Sequence, residues 1–451
     1  MVNYEIKPTF DNLKNSILQD MVGRNETIAH FIEFLDAINQ NTAIALDDTW
    51  GNGKTFFVKQ TQLVIQSHNS SENELSDIKQ CMMKYFHNYI PKKYIPIYYD
   101  AWSNDNDTDP ILSIIFNMLK DIDVLTEYET VDKSWWDRIT YSLELISTAF
   151  GGPRIKNLLD SIKGKNLLEE IKKSKEVDQI LNDLFDVILE KYPDTRIVFF
   201  IDELDRCCPN FAVRLLERIK HYFLHDKVIF VISVNSSELQ HTIKRHYGND
   251  FNANKYLQRF FDFTIPLPVV NMQKFYEMIQ FNDDNVRYEI ADLMMNYYNF
   301  SLRDRTRYLQ YLKSSIPKMS NNDFNRIKFY KEILAPFLIG LKIHDPKKYV
   351  EFIQGENLSY FLDLIQSTNH PDSYCFILLN DNETFEENNP HHKTFIPLNE
   401  RFKFVYKCLF GNSINNKSSQ LMDVAKLENI SSKDKKFIME MMSFMQAKEN
   451  L

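Results

Sequence analysis

The chain has 451 residues, 44% of them hydrophobic and 25% charged, so it is long enough for two to four domains of an ordinary globular protein. Its net charge of −9 gives no support to a nucleic-acid-binding function, which usually requires a basic excess. The longest apolar runs, such as Ile333 to Leu341, are far shorter than the about 20 residues of a membrane helix. The N-terminus lacks the apolar stretch of a signal peptide, and the five cysteines contain no CxxC pair. We therefore predict a cytoplasmic protein without a membrane segment, a disulfide framework or a zinc site.

The first predicted elements surround a loop that contains two closely spaced glycines. Residues 11–40 have helical spacing, the apolar run at 41–46 predicts a strand, and residues 55–66 predict a second helix. The loop between that strand and that helix contains Gly51 and Gly53, although the whole chain has only 10 glycines. Because glycine lets the backbone adopt positive φ or approach a ligand closely, this local use indicates a backbone requirement.

The segment GNGKT, which ends at Thr55, is typical of a phosphate-binding loop, although Asp48 stands where the pattern G-x-x-x-x-G-K-[ST] has its first glycine. A helix that begins at Lys54 would present backbone N–H groups and the positive end of its dipole to an anion. Asn52, Gly53, Lys54 and Thr55 would surround the β- and γ-phosphate oxygens, and the Thr55 hydroxyl would bind Mg²⁺. Asp48 can make the turn because aspartate hydrogen-bonds its own backbone. The alternative is a strand–helix connection in which GNGKT arose by chance.

The next part of the chain predicts a second strand and a group of helices. The polar stretch 67–77 predicts a loop, and residues 94–102 predict the strand. Residues 109–122 follow as an amphipathic helix with Asp109 as its N-cap. Residues 123–192 alternate helical patterns with polar breaks, which indicates a helical insertion rather than sheet.

Three further apolar runs complete a predicted parallel sheet. They cover residues 196–206, 227–235 and 261–268, and helical patterns separate them, as in a parallel sheet covered on both faces. The first of these runs contains Asp202 and Glu203 at its carboxyl end, where ligands of parallel sheets bind. Asp202 could hold Mg²⁺ through its water shell, and Glu203 could orient an attacking water or accept its proton. The alternative is a strand end whose acidic residues only face solvent.

The remainder of the chain predicts helices. After Pro268 no convincing sheet is found, and residues 270–451 show helical patterns interrupted by polar breaks such as 381–393. His391 and His392 lie in that break without partners at metal-ligand spacing. A solvated loop is therefore the favoured interpretation of this histidine pair.

Several of these segments together resemble the KAP family of P-loop NTPases, which belongs to the additional-strand, catalytic-glutamate group related to AAA+ and STAND ATPases. The resemblance covers roughly residues 18–310 and implies that Trp50, Gly51 and Phe56 join the nucleotide-binding residues of the loop. Trp102 matches a second tryptophan of the family pattern. The matching segments are DTWGNGKTFF, YYDAW, FIDELDRCCPNFAVRLLERIKHYF and YLQRFFDFTIPLP.

The resemblance also implies roles for residues outside the loop. The segment around Arg24 is similar to the one that contacts adenine in related ATPases, and Asn235 stands where a polar residue lies near the attacking water. Arg259 resembles an arginine finger that reaches into a neighbouring subunit, and Arg303 resembles a sensor arginine of a helical lid. For Arg24, Asn235 and Arg259 the alternatives are a helix N-terminal turn, a strand-end cap and an ordinary surface arginine.

The expected fold is α/β: a P-loop NTPase parallel sheet flanked by helices, with a helical lid and an all-helical C-terminal region. The expected domains are a KAP-type NTPase domain at 1–268, a lid at 269–315 and a helical domain at 316–451. Because some bacterial relatives carry membrane helices where this chain has only the helical stretch 123–192, we expect a soluble variant.

The favoured function is an Mg²⁺-dependent ATPase that works as a switch or motor and couples ATP hydrolysis to a conformational change. The resemblance associates it with bacterial anti-phage defence or signalling and implies a protein partner or a homo-oligomer. A nucleotide-gated scaffold that binds ATP with little hydrolysis is the alternative. A nucleic-acid-acting ATPase is a third option that the acidic charge disfavours. No guanine-reading N-K-x-D motif occurs, which mildly favours ATP over GTP.

Overall fold

A computed structural model describes most of the chain, which divides into two compact units, one of residues 6–275 and one that contains residues 276–451. The proposed division into a domain, a lid and a C-terminal domain stays a prediction. The described residues are 7–69, 73–87, 89–107, 109–121, 133–150, 177–279, 281, 286–316, 325–367, 385–386, 393–394, 398–411 and 432–449.

The apolar runs of the first unit form one five-stranded sheet. Its strands are β1 (Thr42–Asp47), β2 (Lys93–Asp100), β3 (Thr195–Asp202), β4 (Val228–Val234) and β5 (Phe263–Pro266). All neighbours run parallel, in the order β2-β3-β4-β1-β5. β3 and β4 are buried along their whole length, as expected for strands covered on both faces. The prediction of a parallel α/β sheet flanked by helices is confirmed.

Helices cover both faces of this sheet. They are α1 (Phe10–Gln19), α2 (Asn25–Ala37), α3 (Lys54–Asn69), α4 (Asn73–Met83), α5 (Pro110–Asp121), α6 (Lys133–Phe150), α7 (Val177–Glu190), α8 (Pro209–Tyr222), α9 (Ser236–Tyr247) and α10 (Ala253–Leu257). α11 (Met272–Met278) follows β5 in the chain. Successive strand residues point to opposite faces. Phe199 accordingly packs into the core that includes α5, α7 and α8, and Phe200 into the core that includes α1 to α4.

The register of the sheet brings several strand ends to one edge. Asp100 of β2 lies opposite Asp202 of β3, and Asp47 of β1 lies opposite Val234 of β4. The residues that follow these strands therefore start from the same side of the sheet, where ligands of open α/β sheets bind.

Two local predictions in the first unit were wrong. The helix expected over residues 11–40 is interrupted, because Asp20 ends α1 in the left-handed conformation (φ 47°) and Gly23 also has positive φ. The loop expected over 67–77 is largely helical, because α3 continues to Asn69 and α4 begins at Asn73. α4 begins within this polar-looking stretch and buries apolar residues that follow it at helical spacing, among them Ile78 and Met82.

The described part of the predicted insertion consists of α6 and α7, which pack against each other. The indole N–H of Trp135 donates to the Val187 carbonyl oxygen, and Arg138 pairs with Glu190 at the surface. Residues 123–132 and 151–176 of the insertion lie outside the described residues.

The second unit is mainly helical, but it contains a short ladder. Its helices are α12 (Val286–Tyr297), α13 (Leu302–Ser315), α14 (Asn325–Phe329), a π-helical turn (Tyr330–Leu334), α15 (Ala335–His344), α16 (Pro346–Ile353), α17 (Ser359–Gln366), α18 (Leu398–Phe410) and α19 (Ser432–Glu449). The two-residue strands β6 (Phe385–Glu386) and β7 (Lys393–Thr394) pair antiparallel. The expected helical character of the C-terminal region is found apart from this ladder, whose two-residue strands are too short to give an alternating pattern. His391 and His392 lie outside the described residues.

Candidate functional site

The loop between β1 and α3 depends on both of its glycines. Gly51 and Gly53 have φ of 91° and 88°, in the region that side chains other than glycine rarely adopt. α3 then begins at Lys54, so the free N–H groups of its first turn and the positive end of its dipole belong to this loop. The two glycines that the sequence marked as unusual are therefore at positions with a backbone requirement.

Lys54 is the cation of the loop. Its side chain is only 9% exposed, and its Nζ donates to the Asp48 carbonyl at 2.5 Å and to the Thr49 carbonyl at 3.0 Å. Burial lowers the pKa of Lys54, while Asp205, Asp48 and Asp202 oppose that shift electrostatically. The ammonium group therefore lies within reach of carboxylates from the β1 loop and from the end of β3.

Asp48, the residue that departs from the glycine pattern, organises the loop. Its N–H donates to the Val234 carbonyl at 3.1 Å, which extends the pairing of β1 with β4 by one residue. Its Oδ1 accepts the Thr49 N–H at 2.6 Å and the Asn52 Nδ2 at 2.9 Å. The carboxylate is thus directed at its own loop, and the predicted aspartate turn is confirmed.

Replacing Asp48 with alanine should destabilise the first unit, because the Thr49 N–H and the Asn52 amide lose a shared acceptor. A lost cap of this kind costs about 1 kcal/mol. We expect the thermal midpoint to fall by about 2–4 °C. Asp48→Asn is the matched control, since its amide oxygen can still accept and should preserve most of the stability. Equal midpoints for wild type and Asp48→Ala would contradict the capping role.

Arg24 connects the loop to the segment after β5. Its buried guanidinium donates to the Pro268 carbonyl from Nη2 (2.7 Å) and Nε (3.1 Å), and to the Asn52 and Gly53 carbonyls at 3.2 and 3.4 Å. Burial lowers the pKa of Arg24 to about 10, while the charge of Asp48 opposes the shift. The side chain thus braces the loop, and a contact of this segment with adenine stays a prediction.

Asp202 is the last residue of β3, and Glu203 follows it directly. Asp202 is 1% exposed, its Oδ2 accepts the Tyr98 hydroxyl at 3.1 Å, and its Oδ1 accepts the Glu203 N–H at 3.0 Å. Burial and the Asp202 charge raise the pKa of Tyr98, so this hydroxyl keeps its proton. Glu203 has a left-handed backbone (φ 60°), and burial raises the pKa of its carboxyl while Arg206 opposes the shift.

Asp205 links the loop to the end of β4; the sequence predicts structural pairings of Asp205 and Arg206 near the site but does not identify the partners of Asp205. Its Oδ2 accepts the indole N–H of Trp50 at 2.6 Å and the backbone N–H of Asn235 at 2.8 Å. Burial raises the pKa of Asp205, and these two hydrogen bonds and Lys54 oppose the shift. The sequence signal for this role is that Asp205, the second aspartate of the DELDR segment, lies only three residues after Asp202.

The remaining predicted residues occupy different places. Thr55 and Phe56 lie half-buried in the first turn of α3. The Oδ1 of Asn235 accepts the N–H groups of Ser237 and Glu238, so this side chain caps α9, as its alternative interpretation proposed. Arg259 is exposed in the turn after α10.

Arg303 is exposed in the first turn of α13, in the second unit. Trp50 and Asn235 both donate to Asp205, and the charges of Asp205 and Asp202 act on Lys54. Among the described residues, no contact joins Arg259 to this group.

A magnesium ion would find suitable ligands here. Mg²⁺ is bound through one or two carboxylates, water and substrate phosphates rather than by a dedicated cage of side chains. Among the described residues, no group of three histidine, cysteine, aspartate or glutamate side chains could form such a cage. The buried Asp202 carboxylate, whose charge acts on Lys54, and the Thr55 hydroxyl at the start of α3 fit the sparser set.

Comparison with known proteins gives one family match. Residues 24–316 match the family described as the KAP family P-loop domain. Among solved structures, the chain is similar to PCH-2 of C. elegans, with 13% identity, a TM-score of 0.25, and coverage of 69% of this chain and 65% of that chain. The chain thus spans less than two thirds of that protein. Because the TM-score is low, we assign the fold from the five-stranded sheet and not from this similarity. No curated protein matches. Within the described ranges, no helix is long and apolar enough to cross a membrane.

Proposed function

Because the chain belongs to the KAP family of P-loop NTPases, a family of nucleotide-binding proteins, we propose that it binds ATP with Mg²⁺ at the β1–α3 loop and hydrolyses the γ-phosphate. The observation that carries this proposal is the position of Lys54. Its buried ammonium lies in the glycine-containing loop and interacts electrostatically with Asp202 at the end of β3. A lysine in the loop and a carboxylate on a separate strand are the two fixed charges that phosphoryl transfer needs.

ATP binding would use backbone N–H groups and a lysine that the loop already holds in position. The positive φ values of Gly51 and Gly53 let the backbone approach phosphate oxygens, and the first turn of α3 supplies N–H donors. Lys54 would exchange its bonds to the Asp48 and Thr49 carbonyls for phosphate oxygens. Trp50, Asn52 and Phe56 would complete the binding loop, with Arg24 bracing it from Pro268.

The chemistry would be divided between the ends of β1, β3 and β4. When bound, Mg²⁺ neutralises charge that develops on the phosphates. Thr55 and Asp202 would hold it, and the Tyr98 hydroxyl fixes the direction of the Asp202 carboxylate. Glu203 would orient the attacking water and accept its proton, and Asn235 would lie near that water. Arg259 would act from a neighbouring subunit.

We propose that ATP hydrolysis drives a conformational change. Residues 1–268 would form the catalytic domain, 269–315 a lid that carries Arg303, and 316–451 a helical domain that relays the change to a protein partner or a second copy of the chain. Anti-phage defence or signalling in the bacterial cytoplasm is the role that we propose for this switch. Its support is the family membership and the helical character of the second unit.

Phosphate release tests this function directly. With ATP and Mg²⁺ the purified chain should release inorganic phosphate steadily, and addition of EDTA should stop the release. Release that persists in EDTA would contradict the use of a metal. Absence of release in Mg²⁺, at ATP concentrations shown to bind, would contradict hydrolysis.

One observation favours the alternative, a scaffold that binds ATP with little hydrolysis. Oε2 of Glu203 is paired with Nη1 of Arg206 at 3.2 Å, so this oxygen is not free to accept a proton from the attacking water. A scaffold should be stabilised by ATP through mass action without consuming it. Thermal stabilisation by ATP without any phosphate release would therefore favour the scaffold.

A further inference from the structure

Arg206 contacts two tryptophans that come from other parts of the chain. Its guanidinium carbon is 5.9 Å from the ring centroid of Trp50 and 5.6 Å from that of Trp102, which are cation–π distances. Trp50 belongs to the β1–α3 loop, Trp102 follows β2, and Arg206 follows β3. Three strand ends thus supply one stack, which we call the Trp50–Arg206–Trp102 stack.

The same guanidinium holds Glu203. Nη1 of Arg206 lies 3.2 Å from Oε2 of Glu203, and the Arg206 backbone N–H donates to the Glu203 carbonyl at 3.1 Å. Both side chains are more than two thirds buried. The pair occupies Oε2, and a carboxylate has a second oxygen that can accept a proton from water.

Both tryptophan segments are hydrogen-bonded to the end of β3 and the turn that follows it. The Trp50 indole N–H donates to Asp205, and the backbone N–H of Ala101, the residue before Trp102, donates to the Asp202 carbonyl at 3.0 Å. Both tryptophans are partly exposed, Trp50 by 42% and Trp102 by 51%. Arg206 therefore contacts two planar rings, which limit where its forked donor can place a carboxylate.

The charges around Glu203 explain why such support is needed. Asp100 at the end of β2, Asp202 on β3 and Asp205 in the following turn all act on the Glu203 carboxylate with the same sign. Like charges repel most strongly where water is partly excluded. Among the groups that act on this carboxylate, Arg206 supplies the opposing charge.

We propose that Arg206 is a positioning residue: the Trp50–Arg206–Trp102 stack fixes the Glu203 carboxylate beside the phosphate-binding loop so that Glu203 can orient the attacking water. This role rests on the proposed ATP hydrolysis. It also gives the two tryptophans of the sequence pattern a further physical function, because both of them orient the arginine.

A double-mutant cycle tests whether Arg206 acts through Glu203. Arg206→Ala should lower kcat for ATP about tenfold, as displacement of a catalytic group does, with KM for ATP changed less than about threefold. Arg206→Lys keeps the charge but not the planar fork and should restore part of the rate. In a Glu203→Gln background, Arg206→Ala should change the residual rate by less than about twofold, because the group that it positions is already lost.

A second readout needs neither nucleotide nor turnover. In the nucleotide-free protein, acrylamide should quench tryptophan fluorescence more strongly in Arg206→Ala, because the guanidinium no longer covers faces of Trp50 and Trp102. Arg138→Ala is the matched control, since it breaks an arginine–glutamate pair of the same kind on α6 and α7. The control should leave both kcat and quenching unchanged.

The possible results separate this proposal from the proposed function. If the wild type releases phosphate but the two substitutions lower kcat additively, or if quenching is unchanged, the positioning role is overturned and hydrolysis stands. If the wild type binds ATP without releasing phosphate, the proposed hydrolysis is overturned and the positioning role with it. If Arg206→Ala does not fold, Arg206→Lys takes its place in the cycle, with the same non-additivity expected.

Discussion

Replacing Lys54 with alanine should weaken ATP binding by at least about 100-fold, or roughly 3 kcal/mol, and abolish phosphate release. The ammonium is the only side-chain cation within the loop segment, and its bonds to phosphate oxygens would be charge-assisted. The replacement also leaves the Asp48 and Thr49 carbonyls without this donor, so some of the loss would come from a less ordered loop.

Equilibrium binding of a fluorescent ATP analogue to wild type and Lys54→Ala measures this effect. Lys255→Ala is a suitable control, because Lys255 is exposed on α10 and its removal takes away the same charge. Thermal unfolding of both variants without nucleotide shows whether the first unit remains folded. Unchanged ATP affinity in a folded Lys54→Ala protein would place the nucleotide elsewhere.

Replacing Glu203 with glutamine should lower kcat by about 10²–10⁴ and leave ATP affinity within about threefold of the wild type. The amide preserves the shape and can still accept a hydrogen bond from Arg206, but it cannot take a proton from water. Because the expected change is confined to kcat, this substitution separates a catalytic role from a binding role.

Steady-state phosphate release and ATP binding, measured on the same preparation, check this expectation. Glu190→Gln is the matched control, since Glu190 is also paired with an arginine but lies at the surface on α7. A kcat for Glu203→Gln equal to that of the wild type would remove Glu203 from catalysis. A parallel loss of binding would instead indicate that the glutamate supports the loop.

The sheet and the loop could be predicted from sequence because each depends on local patterns. β3 and β4 are continuous apolar runs, as buried parallel strands require, and Gly51 and Gly53 stand out in a chain with 10 glycines. The acidic pair at the end of β3 followed from the rule that ligands bind at the carboxyl ends of strands.

The rest of the site depends on side-chain directions and on register, which a single sequence does not reveal. The Trp50–Arg206–Trp102 stack joins three distant segments that meet only because β1, β2 and β3 end at the same edge of the sheet. In the sequence, Asp48 departs from the glycine pattern of phosphate-binding loops. In the structure, its carboxylate accepts two hydrogen bonds from within the turn. The left-handed Asp20 that divides the first predicted helix has no clear sequence signal, since aspartate also occurs within helices.

A single-turnover experiment tests the central claim most directly. The wild-type chain, in excess over ATP labelled at the γ-phosphate and in the presence of Mg²⁺, would be quenched at successive times and the bound label identified. We expect the label to pass from ATP to inorganic phosphate in wild type and to remain in bound ATP in Glu203→Gln. Recovery of intact ATP from wild type after binding is complete would contradict hydrolysis at this site.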